Sequence, residues 1–215
     1  MEDERRFAPA SQRNREPILE VMKRFVQPCA QVLEIASGSG EHAVFLAPRL
    51  DVGTWQPTDI DPDARKSIDA WREWEKDPRV LAAIDLDVTK KPWPVDKADV
   101  VVCINMIHIS PWRATVAMLD GAGRILPPGG LLFTYGPYRR GGVSTSESNE
   151  GFDQNLRARN PEWGVRDLEA VRDEALEHGL VLEEAVPMPA NNFTLVFRRA
   201  VPSSAAIPSS PPASR

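Results

Sequence analysis

An α/β fold with a mostly parallel sheet is predicted by three features of the sequence. Short apolar runs rich in β-branched residues alternate with amphipathic stretches of helical length, a pattern typical of parallel strands joined by crossover helices. A turn containing two glycines follows the first of these runs directly. The last two runs, residues 181–186 and 193–197, are too close for a crossover helix, so they are expected to pair as an antiparallel hairpin.

The sheet is expected to be a Rossmann-like mixed sheet of seven strands, with helices on both faces. The stretches between parallel strands are expected to be helical, because each crossover needs a dozen or more residues. Two of the seven strands form the closing hairpin. The other five are predicted at residues 30–36, 52–58, 80–86, 98–105 and 130–136.

Three further segments flank this sheet. Residues 14–25 carry apolar side chains at helical spacing and are predicted to form a helix with Pro17 in its first turn. Residues 139–151 are polar and rich in glycine, which indicates a mobile loop of the kind that often covers a site. Residues 165–178 are predicted to form a helix that ends at Gly179.

The composition restricts the domain organisation and the partners. In a chain of 215 residues, one domain is expected over residues 1–200, followed by a disordered tail of Pro, Ser and Ala over residues 201–215. The net charge of -5 gives no general attraction to nucleic acid, and no apolar run is long enough to cross a membrane. A cytoplasmic protein is therefore expected. We expect no disulfide between Cys29 and Cys103, and no metal site, since His42 has no second ligand at metal-binding spacing.

The turn after the first strand is the strongest functional signal. Gly38 and Gly40 permit a positive φ and let a ligand approach the backbone, and Ala36 is expected to adopt a negative φ. Ligands of open α/β sheets bind at the carboxyl ends of the strands. Asp59 ends the second strand 19 residues after Gly40, where its carboxylate could accept hydrogen bonds from both hydroxyls of a ribose. The sequence therefore predicts a nucleoside-containing cofactor at this turn.

Two cofactor classes fit the spacing. Gly38, Gly40 and Ala43 also satisfy the G-x-G-x-x-G/A pattern of dinucleotide-binding folds. Glu34 favours S-adenosylmethionine, because a carboxylate within an apolar strand needs a compensating partner, such as the ammonium group of that cofactor. Glu41 at the helix start opposes the phosphates of a dinucleotide. The closing hairpin, typical of methyltransferase sheets, also favours S-adenosylmethionine.

The order of these motifs resembles that of class I S-adenosylmethionine-dependent methyltransferases, and more narrowly that of the methyltransferase-like 26 family, over residues 5–199. The segments that carry the resemblance are 34–40, 59–62, 85–88, 99–102 and 128–130 for the class, and 13–19, 160–168 and 188–193 for the narrower family. The resemblance implies the fold and the cofactor, S-adenosylmethionine, but no settled substrate. The cofactor site predicted from the residues and the resemblance together consists of Arg13, Glu34, Ala36, Ser37, Gly38, Gly40, Asp59, Ile60, Asp87, Val88, Asn105 and Met106.

Several of these residues have an alternative structural interpretation. Asp87 lies where methyltransferases often have a carboxylate that accepts the adenine amino group, but it could instead cap the turn that follows. Asp85 is the alternative for the adenine contact, and the backbone amide of Val88 could meet the adenine ring. Asp61 is expected to cap a helix that begins at Pro62.

The candidate catalytic residues are His108 and Tyr135. His108 follows the fourth strand and could act as a general base, although methyl transfer needs no base and the ring could simply bond the backbone. Asn105 and Met106 are expected to line the cofactor pocket. Tyr135 and Tyr138 could shape an acceptor pocket or anchor the loop that follows.

Residues outside these motifs have functional or structural interpretations as well. Arg13 could pair with the cofactor carboxylate or with an acidic acceptor, whereas Asn14 is a candidate helix cap. Trp163 could cap an acceptor pocket or lie in the core. Asn191 and Asn192 are explained by the turn between the last two strands.

The function predicted from the sequence is methyl transfer from S-adenosylmethionine to a small-molecule acceptor, with a protein acceptor possible. No basic stripe indicates a nucleic-acid substrate. Two alternatives stay open at this point, an NAD-dependent oxidoreductase and a non-catalytic adaptor that binds S-adenosylmethionine. The oligomeric state does not follow from the sequence.

Overall fold

A computed structural model describes residues 3–201. The predicted tail lies outside the described residues from position 202 onward. The central sheet runs in the order β2-β1-β3-β4-β8-β7. Two short strands, β5 and β6, pair with the end of β4. The strands are β1 Gln31–Ile35, β2 Thr54–Pro57, β3 Val100–Ile104, β4 Leu131–Arg140, β5 Val143–Ser144, β6 Arg166–Asp167, β7 Leu180–Met188 and β8 Asn192–Arg199.

The strand directions confirm the predicted mixed sheet. The pairs β1–β2, β1–β3 and β3–β4 are parallel, whereas β8 runs antiparallel to both β4 and β7. The closing hairpin therefore forms as the short connection predicts. Because β1, β2, β3 and β4 are parallel, their carboxyl ends lie along one edge of the sheet, and this edge carries the functional residues.

The strand predicted at residues 80–86 is replaced by two isolated parallel bridges, Trp55 to Val80 and Thr58 to Ile84. Between the bridges, side chains form hydrogen bonds with backbone groups that would pair with a neighbouring strand in a regular ladder. The Asp69 carboxylate accepts from the N–H of residue 83 at 2.9 Å, and the Gln56 amide donates to the carbonyl of residue 82 at 2.8 Å. The segment still occupies the sheet edge beside β2, so it brings residues 86–89 to the functional edge.

Helices cover both faces of the sheet, and they bury two apolar cores. Val32 of β1 packs with residues of α1 and α2 on one face, whereas Leu33 packs with residues of α4 and α6 on the other. This alternation follows from the two-residue period of a strand. No helix within residues 3–201 has the length and apolarity needed to cross a membrane. The helices are α1 Pro9–Met22, α2 Glu41–Arg49, α3 Pro62–Glu75, α4 Trp112–Ile125, α5 Glu147–Arg159 and α6 Leu168–Glu177.

Helix α1 begins five residues earlier than predicted, at Pro9, so Pro17 lies inside the helix and not in its first turn. Asn14 is therefore not a helix cap. Its side chain is buried, and its Oδ1 lies 2.8 Å from His42 Nε2 of α2. The start of this helix was predicted too late because Pro9, which also fits the first turn of a helix, lies before the apolar side chains whose spacing indicated the helix.

The segment predicted as a mobile loop, residues 139–151, is mostly regular structure. It contains the end of β4, the strand β5 and the first turn of α5. The Ser146 side chain caps α5 by accepting from the Asn149 N–H at 3.2 Å. The Arg139 guanidinium bonds Glu150 at 2.8 Å and the buried Asp153 at 3.1 Å. These contacts join positions that are separated along the chain, and they order the segment. Its polar composition alone therefore did not indicate its structure.

The helix predicted at residues 165–178 begins at Leu168, where the Asp167 side chain caps it by accepting from the Glu169 N–H. The two residues before it form β6 beside β4. Gly179 follows the helix with a φ of 70°, as a glycine terminator does.

Candidate active site

The turn between β1 and α2 has left-handed backbone at three positions. Ala36 has a φ of 54°, Gly38 of 59° and Gly40 of 91°. The expectation of a negative φ at Ala36 was therefore wrong. The structure holds a residue with a Cβ in the left-handed conformation here, at a cost of about 1–2 kcal/mol.

The two glycines of the turn serve different purposes. A Cβ placed on Gly38 would meet no atom within 4 Å, so the backbone here faces open space. A Cβ on Gly40 would lie 2.7 Å from the Cα of Ile68, which belongs to α3. Gly38 therefore leaves room for a ligand, whereas Gly40 permits the close packing of α3 against the start of α2.

Asp59, after the end of β2, is tied to the turn. Its Oδ2 accepts from the Gly38 N–H at 2.9 Å and its Oδ1 accepts from the Asp61 N–H at 2.9 Å. The Ser37 hydroxyl accepts from the Thr58 N–H at 3.1 Å, so Ser37 joins the turn to β2 and does not line a cavity. Asp61 caps α3 as predicted, accepting from the N–H of residue 63.

A cavity of about 520 Å³ opens beside this turn. Seven of the predicted cofactor residues line it, and all lie at or after the carboxyl ends of β1, β2, the 80–86 segment and β3. One of them, Ile60, is 64% exposed, which leaves an apolar side chain at the cavity mouth. The seven residues are Ala36, Gly38, Asp59, Ile60, Asp87, Val88 and Met106.

Asp87 caps the turn that follows it, as one of its two interpretations predicted. Its Oδ1 caps the following turn by accepting from the Thr89 N–H at 3.0 Å and from the Thr89 hydroxyl at 2.7 Å. These hydrogen bonds, with the nearby Lys90 ammonium, hold the pKa of Asp87 below its usual value, so the carboxylate stays charged at neutral pH. It lines the cavity as well, whereas Asp85 is exposed and lies 3.4 Å from Arg65.

Glu34 is buried inside β1, with 1% of its surface exposed, and it does not line the cavity. The Trp55 indole N–H donates to its Oε2 at 3.0 Å. Burial raises the pKa of Glu34 to about 7, although the hydrogen bonds from Trp55 and Ser37 oppose that shift. The carboxyl therefore already has an internal partner, and its raised pKa increases its protonated fraction at neutral pH.

A second cavity, of about 420 Å³, is lined by Asn105, which follows β3. Asn105 has a φ of 64° and lines the second cavity, whereas its neighbours Ile104 and Met106 line the first. Helix α1, the middle of β4 and the turn of the closing hairpin form the other walls. The lining residues are Ala10, Arg13, Asn14, Asn105, Tyr135, Pro189, Ala190 and Asn192.

Tyr135 contributes a neutral hydroxyl to the second cavity. Burial raises the pKa of this hydroxyl above its usual value, although a hydrogen bond with Asn14 and the charge of Arg13 oppose the shift. The hydroxyl is therefore protonated at neutral pH and can donate a hydrogen bond. Tyr138 is fully buried, its hydroxyl lies 2.8 Å from the Thr134 hydroxyl, and it belongs to the core and not to an acceptor pocket.

His108 lies beneath the site with 1% of its surface exposed, and it lines neither cavity. Burial lowers the pKa of its ring to about 3, so the ring is neutral. Neither ring nitrogen has a hydrogen-bond partner among the described residues. A Cβ on Gly136 would lie 1.9 Å from His108 Nε2, so the glycine makes room for the ring. The role of His108 as a base stays a prediction.

Trp163, predicted either to cap an acceptor pocket or to lie in the core, lines the first cavity from the segment just before β6. The Arg166 guanidinium holds this segment in place by donating to the carbonyls of Ile107 at 3.1 Å and Ser110 at 2.6 Å. The Gly164 N–H donates to the His108 carbonyl at 2.9 Å. Three other lining residues at this rim, Ile109, Ser110 and Arg113, were missed because they precede or open α4 without a recognisable motif.

Solved methyltransferase structures share this fold. A protein of Galdieria sulphuraria, proposed to be a sarcosine dimethylglycine methyltransferase, is 18% identical with a TM-score of 0.70 over 89% of this chain and 87% of its own. An O-methyltransferase family protein of Burkholderia thailandensis is 18% identical with a TM-score of 0.77 over 90% of this chain and 58% of its own. Human N-acetylserotonin methyltransferase, solved with S-adenosylmethionine, is 13% identical with a TM-score of 0.73 over 89% of this chain and 53% of its own.

The chain thus spans little more than half the length of the last two proteins. At these identities the likeness establishes the fold, a Rossmann-like methyltransferase fold. The sequence itself matches a family model over residues 5–199, and the chain belongs to the family described as Protein of unknown function (DUF938).

Proposed function

We propose that this protein transfers a methyl group from S-adenosylmethionine to a small-molecule acceptor. The observation that carries the proposal is a pair of cavities lined by adjacent residues of the chain, Asn105 in one and Ile104 and Met106 in the other, on the sheet edge where α/β proteins bind ligands. The first cavity suits the cofactor and the second suits the acceptor. Such an arrangement places the donor and acceptor groups beside each other, which supplies much of the catalysis of a bimolecular reaction.

The residues of the first cavity fit S-adenosylmethionine. The Asp59 carboxylate accepts from the ribose hydroxyls, and the apolar Ile60 packs on the adenosine. Asp87 accepts from the adenine amino group, and the Val88 amide meets the ring. The open space at Gly38 admits the amino-acid part of the cofactor against the backbone.

The charge at the start of α2 argues against a dinucleotide. The Glu41 carboxylate is buried there, and it accepts from the Ala8 N–H at 2.6 Å and from the Ser39 hydroxyl at 2.9 Å. A pyrophosphate at this helix end would meet a buried negative charge in place of free N–H groups. The ammonium group of S-adenosylmethionine carries the opposite charge, and binding it near the turn would favour the ionised form of Glu34.

When bound, S-adenosylmethionine supplies a methyl group on a positively charged sulfur. An acceptor lone pair would form the new bond to the methyl carbon while the sulfur would keep the electron pair of the broken bond. The residues of the second cavity would orient the acceptor for this in-line attack, and Asn105 lines that cavity between two chain neighbours that line the first. Tyr135, protonated at neutral pH, positions the acceptor as a hydrogen-bond donor.

Calorimetric titration of S-adenosylhomocysteine into matched variants tests the cofactor assignment. Asp59→Asn is expected to lower the affinity about tenfold or more, because a charged acceptor of ribose hydrogen bonds is lost. Asp85→Asn is the control, since it removes the same charge nearby from an exposed side chain outside the cavity. An unchanged affinity in Asp59→Asn, or an equal loss in both variants, would contradict the assignment.

Labelled cofactor and a metabolite extract then distinguish an enzyme from an adaptor. The proposal predicts that label moves to a low-molecular-weight product in the presence of the wild-type protein. Tight cofactor binding without transfer to any acceptor in the extract would favour a non-catalytic adaptor.

A further inference from the structure

Among the described residues that line the second cavity, one is charged, the solvent-exposed Arg13. The other polar groups of the cavity are the Tyr135 hydroxyl and the side-chain amides of Asn14, Asn105 and Asn192. The rest of the lining, at Ala10, Pro189 and Ala190, is apolar. In a protein with a net charge of -5, this cavity therefore presents a local positive charge beside hydrogen-bond donors.

Arg13 has no carboxylate partner in the part of the chain that the structure describes. Two arginines of the same amino-terminal segment do have partners, since Arg5 pairs with Asp3 at 2.8 Å and Arg6 pairs with Asp61 at 3.2 Å. No oxygen of Asp or Glu within residues 3–201 lies within 4.0 Å of the Arg13 guanidinium, although the chain has 31 acidic residues. A guanidinium at a cavity wall without an internal counter-ion is suited to bind a carboxylate of a ligand.

The walls of the cavity indicate which ligand carries that carboxylate. Arg13 shares the lining of the second cavity with Tyr135 of β4 and Asn192 of the closing hairpin. The proposed cofactor residues Gly38 and Asp59 line the first cavity, which Arg13 does not line. Resting on the proposed function, we infer that the methyl acceptor is a small organic acid whose carboxylate pairs with Arg13.

The lining also restricts the nucleophile of this acid. Within residues 3–201, no Asp, Glu or His lines the second cavity, and the Tyr135 hydroxyl holds its proton at neutral pH. The acceptor therefore brings a lone pair that needs no base from this cavity, as an uncharged amine or an ionised oxygen or sulfur does. With the carboxylate on Arg13, this atom lies toward Asn105 and the methyl group. Any proton on an attacking amine leaves to solvent after the new bond has formed.

The test uses full-length protein saturated with S-adenosylhomocysteine and probes in matched pairs. Benzoate, anthranilate and N-acetylglycinate are each compared with the corresponding primary amide, which keeps the shape and removes the charge. Binding is measured by saturation-transfer NMR and by titration. The variants are Arg13→Gln and Arg13→Lys, with Lys23→Gln as a control that removes one exposed positive charge at the end of the same helix.

We expect the wild-type protein to bind at least one acid about tenfold more tightly than its amide, and Arg13→Gln to lose this preference. Arg13→Lys should keep part of it, and Lys23→Gln all of it. The affinity for S-adenosylhomocysteine should stay within about twofold in all variants. In transfer assays, Arg13→Gln should lower kcat/KM for acids and not for neutral acceptors.

Two results would overturn the inference. In the first, acids and amides bind the wild-type protein equally, or none of the acids binds. In the second, Arg13→Gln weakens S-adenosylhomocysteine and leaves acid binding unchanged, which would assign the guanidinium to the cofactor carboxylate. A wild-type protein that fails to bind S-adenosylhomocysteine at the outset would refute the proposed function instead, before any probe is added.

Discussion

The two glycines of the β1–α2 turn provide a matched pair of substitutions. One is expected to lower the stability of the fold, and the other to lower the affinity for the cofactor. Gly40→Ala places a methyl group 2.7 Å from the Cα of Ile68 at a φ of 91°. Left-handed backbone costs about 1–2 kcal/mol and overpacking about 1–3 kcal/mol, so about 3 kcal/mol of stability should be lost. For a chain of this length, the midpoint of thermal unfolding should fall by about 10 °C.

Gly38→Ala should leave the fold nearly intact. Its methyl group meets no atom, and the neighbouring Ala36 already adopts a similar φ. Strain of about 1–2 kcal/mol is partly offset by the reduced freedom of the unfolded chain, worth about 0.4–1 kcal/mol. The methyl group points into the space assigned to the cofactor, so affinity for S-adenosylhomocysteine should fall about tenfold or more.

Thermal unfolding followed by circular dichroism, together with calorimetric titration, separates the two effects. The reasoning predicts an unstable Gly40→Ala protein and a stable Gly38→Ala protein that binds poorly. Gly40→Ala with wild-type stability would refute the packing argument. Gly38→Ala with wild-type affinity would show that this backbone does not approach the cofactor.

Three further predictions concern positions at or near the site. Ala36→Gly should raise the unfolding midpoint by about 2–4 °C. The substitution relieves the strain of a left-handed residue at a φ of 54°, and this gain in stability exceeds the loss caused by the greater conformational freedom of glycine in the unfolded chain. A lower midpoint would contradict this. Glu34 has a folded pKa of about 7, above its unfolded value of 4.5, so it takes up protons on folding between these values. Stability of the cofactor-free protein should therefore fall as pH rises from about 4.5 to 7, by up to about 3 kcal/mol relative to Glu34→Gln in urea titrations, and parallel pH profiles would exclude this linkage. Gly136→Ala should destabilise the protein through its clash with His108, and His108→Ala should rescue it, so additive effects in the double-mutant cycle would count against the contact.

Much of the fold was predictable because its signals are local. Each buried strand is a short apolar run, and the short connection between the last two runs leaves only an antiparallel pairing. The failures involve partners that are distant along the chain. The strand predicted at residues 80–86 lost its ladder to the side chains of Gln56 and Asp69. The segment 139–151 became ordered through the pairing of Arg139 with Asp153, which periodicity does not reveal.

The site was predictable where a motif fixes the backbone position, and less so where a side-chain direction decides. Asp59 and Asp87 line the first cavity because Asp59 follows the carboxyl end of β2 and Asp87 follows that of the 80–86 segment. Glu34 and Ser37 belong to the motif at the end of β1, but their side chains form hydrogen bonds within the protein. The left-handed φ of Ala36 was missed because alanine rarely adopts it, so composition alone indicated the opposite.

Ligand-induced thermal stabilisation tests the central claim, that the first cavity binds S-adenosylmethionine. At 100 times its dissociation constant, a ligand adds about 2.7 kcal/mol to stability, which for a chain of this length corresponds to an increase in the unfolding midpoint of about 5–10 °C. Our account predicts this increase with S-adenosylmethionine and with S-adenosylhomocysteine, and no increase with NAD. Stabilisation by NAD, with no response to either sulfur-containing ligand, would contradict it.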